Sequence, residues 1–217
     1  MTGMPLPQPP VGRYRPARIT VLESAGPAPA LVDRLRVVTG LSAAFSDGLD
    51  EIAVRTAVPA SVVAPLCSSD VLIGRALTLR YLPLREVAGP SRLAHLTACE
   101  GGRPGDVLVI SAPPSIPGSV LGGKAAAAIV GVGLAGIVVQ GAVRDLDEID
   151  ATGLQVWSTA TTPITGRGRL EAVEINGPVE ICGVQCAPGD IVVADRSGVV
   201  FVPVEVFEAL ATVILAG

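Results

Sequence analysis

A glycine-punctuated apolar stretch near the middle of the chain ends abruptly in two opposite charges. From Gly122 it reads Gly-Gly-Lys-Ala-Ala-Ala-Ala-Ile-Val-Gly-Val-Gly-Leu-Ala-Gly-Ile-Val-Val-Gln-Gly-Ala-Val, and Arg144 and Asp145 follow at once. The small residues from Gly123 to Val130 predict a helix, and the β-branched run Ile137 to Gln140, bounded by glycines, predicts a buried strand. In an α/β fold the two charged residues would then lie at the carboxyl end of that strand.

This Arg-Asp pair is a candidate ligand site, because ligands of open α/β folds bind at the carboxyl ends of the strands. The Asp145 carboxylate can hold a divalent cation, and the Arg144 guanidinium can clamp a carboxylate or an enolate oxygen through two parallel hydrogen bonds. An alternative interpretation is purely structural. Asp145-Leu-Asp-Glu148 has the form of a helix N-cap followed by a glutamate, opening a short helix that Gly153 would end. Both interpretations stay open, because a capping aspartate keeps a free oxygen.

Composition limits the class of protein. The 217 residues suffice for one sizeable domain, and we expect one. Aromatic residues make up 3% and charged residues 17% of the chain, so the core must be aliphatic and the surface weakly charged. Such a surface suggests burial against copies of the same chain. The net charge of −4 argues against binding to nucleic acid, which requires a basic face.

The sequence also indicates a cytoplasmic protein. Its longest apolar run, Ala125 to Val139, is shorter than the roughly 20 residues that span a bilayer, and no secretion signal is recognisable. The four cysteines form no Cys-x-x-Cys pair, which predicts reduced thiols. Cys182 and Cys186, four residues apart in an expected hairpin, are a weak candidate for half of a zinc site.

Proline and glycine divide the chain into an arm and a domain. Residues 1 to about 18 carry five prolines and predict an extended arm, which leaves 19–217 as a single domain. Further helices are predicted at Ala30 to Val38, Ser42 to Val54, Ser91 to Cys99 and Val204 to Ala216. Further strands are predicted at Val71 to Arg80, Val107 to Ser111, Gln155 to Ser158, Val173 to Asn176, Val179 to Val184, Ile191 to Ala194 and Val199 to Val202.

The segment Gly118 to Ala125 matches the phosphate-binding loop of nucleotide hydrolases at every fixed position except the last. There an alanine replaces the serine or threonine whose hydroxyl binds magnesium, so we do not predict nucleotide hydrolysis. Glycines that open a helix still leave backbone N–H groups at its positive end. Those amides can bind a carboxylate as well as a phosphate.

An ordered set of motifs resembles the RraA-like family, which contains the class II 4-hydroxy-4-methyl-2-oxoglutarate aldolases and the regulators of RNase E activity. The set consists of Gly122-Gly123, Gly-Ala-Val-Arg144-Asp145, Pro188-Gly-Asp190 and Ala194-Asp195-Arg-Ser-Gly-Val-Val, within a resemblance from about residue 40 to 205. The resemblance implies a three-layer β/β/α swivelling-domain fold of the α/β class. It also implies homotrimers or homohexamers with active sites at subunit boundaries.

The same resemblance implies a divalent-metal-dependent carbon–carbon lyase that cleaves 4-hydroxy-4-methyl-2-oxoglutarate-like substrates by retro-aldol chemistry, decarboxylates oxaloacetate, or does both. Asp145 would bind Mg²⁺ or Mn²⁺ partly through waters, and Arg144 would contact the 2-oxo acid and its enolate. Backbone amides of Leu121, Gly122 and Gly123 would hold the pyruvyl carboxylate. A hard, oxygen-ligated ion is favoured because the chain has one histidine.

The chain departs from the aldolases at two places. Gly123 and Lys124 stand where those enzymes usually carry an acidic residue, and the sequence stops at Gly217 where they commonly extend a carboxyl-terminal helix. Lys124 either replaces an acid or selects a more anionic substrate. Two other functions therefore remain open: a non-catalytic oligomeric regulator, and a related enzyme with an unusual substrate.

Three further residues invite a functional interpretation. His95, in a predicted helix, is expected to be a structural or surface residue rather than a base. Arg167 and Arg169 lie in a glycine-bearing loop and could reach a second substrate carboxylate, although a solvated loop is the simpler expectation.

Overall fold

The structure is a computed structural model that describes residues 18–67, 70–84 and 94–217, with only the backbone of Leu96. The predicted arm lies outside the described residues except for Arg18, which begins the first strand. The strands are β1 (Arg18–Ile19), β2 (Ala57–Pro59), β3 (Ala64–Cys67), β4 (Leu72–Pro83), β5 (Val107–Ser111), β6 (Ser119–Leu121), β7 (Gly136–Val143), β8 (Gln155–Thr161), β9 (Leu170–Ile175), β10 (Val179–Ile181), β11 (Val184–Cys186), β12 (Ile191–Asp195) and β13 (Gly198–Val202). The helices are α1 (Pro29–Leu35), α2 (Leu41–Glu51), α3 (His95–Glu100), α4 (Gly123–Val132), α5 (Leu146–Thr152) and α6 (Val204–Ala216).

Among the described residues, eleven strands are hydrogen-bonded in one sheet with the central order β2-β13-β12-β4-β5-β7-β8-β3. β4, β5, β7 and β8 run parallel, whereas β12, β13 and β2 are antiparallel. The sheet thus has a parallel part and an antiparallel part. The long strand β4 belongs to both, because Leu72 to Arg75 pair with β12 of the antiparallel part and Ala76 to Arg80 pair with β5 of the parallel part. The carboxyl ends of the parallel strands meet at one edge, where Arg144 and Asp145 follow β7.

The two parts of the sheet pack face to face, and helices cover the outside. Successive side chains of a strand point to opposite faces, so Val109 packs with Phe201 of β13 while its neighbour Leu108 packs on the side of Ile129 in α4. This layering is the β/β/α arrangement that was predicted. A third buried cluster covers the far face of the antiparallel part, where Phe45 of α2 and Phe207 of α6 stack with their ring centroids 5.5 Å apart.

Most predicted elements are confirmed. β5 and α6 have the expected bounds, and the helix expected from Gly123 extends to Val132. The single strand expected from Val179 to Val184 is wrong, because Cys182 and Gly183 adopt positive φ angles of 52° and 85° and turn the chain into the hairpin β10–β11. The helix expected from Ser91 begins at His95 in the described part of the chain, and residues 91–93 lie outside it.

Several short strands were not predicted, among them β2, β3 and β6. The strand β6 changes the interpretation of the phosphate-loop-like segment, because Ser119 to Leu121 pair with the end of β7 instead of forming a loop. The absence of a phosphate-binding loop in this described segment therefore has a structural cause as well as a chemical one. Among the described helices, none has the length and apolar character needed to cross a membrane.

Candidate functional site

The glycine segment and the Arg-Asp pair lie side by side because β6 runs parallel to the end of β7. Leu121 is paired with Val143, and the backbone N–H of Arg144 donates to the carbonyl oxygen of Leu121 at 3.1 Å. The chain leaves β6 directly into Gly122 and α4, and leaves β7 directly into Arg144 and Asp145. The structure thus brings five predicted site residues, Leu121 to Gly123 with Arg144 and Asp145, to one position at the carboxyl edge of the sheet.

Gly122 leaves space for the Arg-Asp pair, and its backbone conformation does not require glycine. Its φ of −151° and ψ of 174° are ordinary extended values that any residue adopts. A β-carbon at this position would lie 2.7 Å from Asp145 Oδ2 and 3.2 Å from Arg144 Nε, closer than van der Waals contact allows. The absence of a side chain at residue 122 is therefore what allows the Arg-Asp pair to lie against the loop.

Gly123 is crowded in the same way by a different residue. A β-carbon on Gly123 would overlap the Oε2 and Cβ atoms of Glu148 and lie 2.9 Å from its Cδ atom. Glu148 lies in the first turn of α5, the helix that follows the Arg-Asp pair. Sequence reasoning assigned this residue only to a capping box and missed its contact with the loop. The signal that could have revealed it is a glycine at the first position of a helix, where most residues are tolerated.

Asp145 occupies the N-cap position of α5, and its carbonyl oxygen accepts the Ile149 N–H at 3.0 Å. Its side chain makes no capping hydrogen bond, because φ and ψ of 59° and 47° place the residue in the left-handed region. The predicted capping box is therefore wrong, whereas the short helix and its end at Gly153 are confirmed. Instead of capping α5, the Asp145 carboxylate turns toward the glycine segment.

The Asp145 carboxylate has one engaged and one available oxygen. Oδ2 accepts the Gly123 N–H at 3.4 Å and lies 3.4 Å from Arg144 Nε. Oδ1 has no hydrogen-bond donor among the described residues, and 36% of the Asp145 side chain is exposed. This oxygen is free to bind a cation. The Arg144 side chain is 37% exposed, and its terminal guanidinium nitrogens have no partner in the described chain, so they can donate to a ligand.

Lys124 is the second residue of α4 and is exposed. It is the single lysine of the chain and forms no ion pair within the part of the protein that the structure describes. A cation in the first turn of a helix opposes the helix dipole, so this position is electrostatically unfavourable without an anion nearby. The buried Leu121 side chain leaves only the backbone of that residue for contact with a ligand.

The donor set fits a hard cation that keeps most of its water. Within the described ranges, no three carboxylate, thiol or imidazole groups converge as a metal site. Asp145 and Glu148 nevertheless lie against adjacent residues of the same loop. Mg²⁺ commonly binds one or two protein carboxylates and completes its shell with water and substrate oxygens. Sites that hold zinc through cysteine and histidine have more protein ligands than this.

His95 is confirmed as a structural residue. It is 9% exposed, and burial together with the charge of Arg167 lowers its pKa to about 4. Its Nδ1 atom has no hydrogen-bond partner in the described structure. The imidazole is therefore neutral at physiological pH and is a weak base. Arg167 and Arg169 are exposed as expected, and Arg169 Nη1 donates to the carbonyl oxygen of Thr165 in its own loop at 2.9 Å.

These observations can be compared with known proteins. A family model described as RraA-like, Aldolase/RraA, matches residues 42–201. The chain belongs to the RraA-like family. A relative from Halalkalibacterium halodurans, named "Putative 4-hydroxy-4-methyl-2-oxoglutarate aldolase", is 33% identical over 159 residues, which are 73% of this chain and 70% of that protein. A Thermus thermophilus protein named 4-hydroxy-4-methyl-2-oxoglutarate aldolase is 33% identical over 99 residues, 46% of this chain and 60% of the relative.

Solved structures of the family have the same fold. Streptomyces coelicolor RraAS2, described as an unusual member of the RNase ES inhibitor RraA protein family, aligns with a TM-score of 0.76 and 33% identity over 88% of this chain and 92% of that one. The RNA-processing inhibitor RraA of Thermus thermophilus aligns with a TM-score of 0.59 and 26% identity over 73% of this chain and 92% of that one. The predicted fold class is confirmed, and both aldolases and RNase inhibitors occur among the names of RraA-like relatives.

Proposed function

We propose that this RraA-like protein is a divalent-metal-dependent carbon–carbon lyase that acts on 2-oxo acids. The observation that carries the proposal is the contact between the Gly122-Gly123 segment and the Arg144-Asp145 pair. Backbone amides, a guanidinium and a carboxylate with a free oxygen lie side by side there, which supports binding of one small substrate by all three. The aldolase names of the relatives support the same reaction class.

The chemistry requires a place for negative charge. Breaking a carbon–carbon bond beside a 2-oxo acid leaves an electron pair that is delocalised onto an enolate oxygen. In the proposed reaction the first amides of α4 bind the substrate carboxylate, and Arg144 donates hydrogen bonds to the developing oxyanion. A Mg²⁺ or Mn²⁺ ion held by Asp145 would supply further positive charge at that oxygen.

The substrate class is a small 2-oxo acid such as oxaloacetate or 4-hydroxy-4-methyl-2-oxoglutarate. Decarboxylation of the former requires only protonation of the enolate carbon after CO₂ leaves, whereas retro-aldol cleavage of the latter also requires removal of a hydroxyl proton. The exposed ammonium of Lys124, next to the Gly123 amide, favours substrates that carry a second carboxylate. A Lys124→Ala variant is expected to raise KM for dicarboxylates several-fold with little change in kcat.

The direct test is pyruvate release from both substrates by the purified protein, with and without Mg²⁺ or Mn²⁺. We expect metal-dependent release that falls by about 100-fold in Asp145→Asn and in Arg144→Ala. Asp147→Asn is the matched control, because Asp147 is an exposed aspartate of the same helical turn and its loss changes the net charge equally. No metal-dependent release from either substrate, or equal rates in Asp145→Asn and the control, would reject the proposal.

A second candidate function is that of a non-catalytic regulator of a ribonuclease. The alignment with the RNase ES inhibitor family member, over 88% of this chain, favours it. Capture of a ribonuclease by this protein, with equal yield for wild type and Asp145→Asn, would support the regulator. Binding that requires Asp145 would instead connect it to the lyase site.

We also propose that the protein is a homotrimer or homohexamer. Large apolar side chains are exposed at the surface of the described residues, among them Val37, Val130, Val132 and Val213. Burial of such side chains between copies would remove apolar surface from water. Light scattering on the purified protein tests this, and a monomer at micromolar concentration would contradict it.

A further inference from the structure

We infer that Glu148 supplies a second carboxylate to the divalent ion at Asp145, from the space beside Gly123 that a side chain at residue 123 would otherwise fill. This inference rests on the proposed function, because it assumes that Asp145 holds the ion. It assigns a role to a residue outside the Arg-Asp pair. Glu148 would then replace the acidic residue that is expected at the position of Gly123 and Lys124.

Glu148 and Asp145 reach the same loop from the start of one helix. Asp145 is the left-handed N-cap residue of α5, and Glu148 lies in its first turn. Asp145 Oδ2 lies against Gly122 and the Gly123 amide, while the Glu148 Cβ and Oε2 atoms occupy the place that a β-carbon of Gly123 would take. The two carboxylates therefore lie against adjacent residues of one loop.

The position of Glu148 explains why residue 123 is a glycine. Gly123 is absent from the described residues with positive φ, so its backbone conformation does not require glycine. A β-carbon there would overlap the Glu148 Cβ atom as well as its carboxylate, so α5 itself would have to shift. The glycine thus creates the space that the glutamate occupies.

The Glu148 carboxylate is also available to a ligand. The capping box that would have engaged it is not formed, and no hydrogen bond or ion pair to it occurs among the described residues. It is exposed to solvent. A carboxylate that is neither capping the helix nor paired with a cation can orient water on a metal ion or bind the ion directly.

Charge balance favours two carboxylates over one. Arg144 and Lys124 place two positive charges beside the loop, and a divalent ion would add two more. Asp145 alone offsets one of these charges, whereas Asp145 and Glu148 together offset two. Two protein carboxylates are also the upper end of what Mg²⁺ commonly takes from a protein when substrate and water complete its shell.

The first test measures Mn²⁺ binding directly, by the loss of the electron paramagnetic resonance signal of free Mn²⁺, and needs no substrate. We expect Glu148→Gln to raise the Mn²⁺ dissociation constant by about tenfold. Asp147→Asn is the control with the same charge change one residue away, and it should stay within about twofold of wild type. Asp145→Asn should remove binding.

The second test uses the space at residue 123. Gly123→Ala sets a methyl group against the Glu148 Cβ atom and its carboxylate, and should weaken Mn²⁺ binding at least as much as Glu148→Gln does. Adding Glu148→Gln to Gly123→Ala should weaken binding no further, because the displaced carboxylate is already lost to the ion. Thermal unfolding of each variant shows whether the protein is folded at the temperature of the measurement.

The outcomes separate this inference from the proposed function. If Asp145→Asn abolishes Mn²⁺ binding while Glu148→Gln behaves like Asp147→Asn, the role of Glu148 is overturned and the proposed function stands. Additive losses in the Gly123→Ala double variant would also overturn it. If the wild-type protein binds no Mn²⁺, both are overturned.

Discussion

Asp195 accepts hydrogen bonds from both the backbone N–H and the hydroxyl of Ser42, at 3.0 and 2.7 Å, across 153 positions of sequence. The same carboxylate accepts the Ser197 N–H at 2.7 Å, and the Asp195 carbonyl oxygen accepts the indole N–H of Trp157 at 3.1 Å. The motif that includes Asp195 therefore joins the first turn of α2 to the β12–β13 turn and to β8. Its role in this chain is to hold the layers together.

The Asp195 contacts predict an acid-sensitive stability. Burial alone would raise the pKa of this carboxyl, but hydrogen bonds from Ser42 and Ser197 outweigh it and lower the pKa below its ordinary value of 3.8. A lowered pKa adds stability that is fully present above the unfolded-state value and is lost as pH falls through the folded-state value. Asp195→Asn should reduce the free energy of unfolding at pH 7 by about 2 kcal/mol. The difference from wild type in urea unfolding should shrink below pH 4, and a constant difference would contradict this assignment.

The buried Arg75–Asp106 pair should matter more than the exposed pair on the same strand. Arg75 is fully buried, and its Nε and Nη2 atoms donate to the two Asp106 oxygens at 3.1 and 2.6 Å. Asp106→Ala leaves a buried guanidinium without its partner, and we expect it to lower the free energy of unfolding by about 3–5 kcal/mol. Glu174→Gln, which breaks the 2.8 Å pair with the half-exposed Arg80, should cost less than about 1 kcal/mol. Equal losses in denaturant titrations would contradict the difference in burial.

The crowding at Gly122 predicts that adding a single methyl group at this position reduces activity, without any change of a charged residue. In Gly122→Ala the added methyl group pushes Asp145 and Arg144 away from the loop, and we expect pyruvate release to fall by about 100-fold. Gly131→Ala is the matched control, because a β-carbon there meets no atom within 4 Å and the glycine lies within α4. That substitution should raise the free energy of unfolding by roughly 0.5–1 kcal/mol and leave activity unchanged. Similar activities for the two variants would show that the contact is not needed.

His95 offers a direct check on burial, because a chain with one histidine gives a single imidazole Hε1 signal in an NMR titration. Its pKa of about 4 predicts that the signal does not shift between pH 8 and about 5. Because the unfolded chain binds the proton near 6.5, stability should fall as pH drops from 6.5 toward 4. His95→Gln should reduce this slope. A midpoint near 6.5 in the folded protein would mean that the imidazole is solvated.

Much of the fold could be predicted because hydrophobic periodicity and turn residues agree. β5 begins as a run of four aliphatic residues, three of them β-branched, after Gly105-Asp106, and α6 begins directly after Pro203, so both bounds were evident from local sequence. The short strand β6 was not, because three residues between glycines carry too little pattern. It forms because β7 continues past the end of β5 and leaves Ala142 and Val143 open to pairing, which is a long-range property.

The site shows the same division between local and long-range information. The composition and order of the Gly122-Gly123 and Arg144-Asp145 motifs predicted which residues to consider. The capping-box prediction was wrong because nothing in Asp145-Leu-Asp-Glu148 reveals that Asp145 adopts a left-handed conformation. With Asp145 in that conformation, its carboxylate contacts the Gly123 amide instead of capping α5, and a contact across 22 positions is not encoded in a local motif.

The position of strand β4 determines how cooperatively the protein unfolds. Its first residues are bonded to β12 and its later residues to β5, so the two halves of the sheet are continuous through a single backbone. Unfolding of either half would remove the hydrogen-bonding partner that β4 provides to the other half. Heating or denaturant should therefore produce one cooperative transition with the same midpoint for Trp157 fluorescence and for circular dichroism, although Trp157 reports only on the place where β8 meets β12.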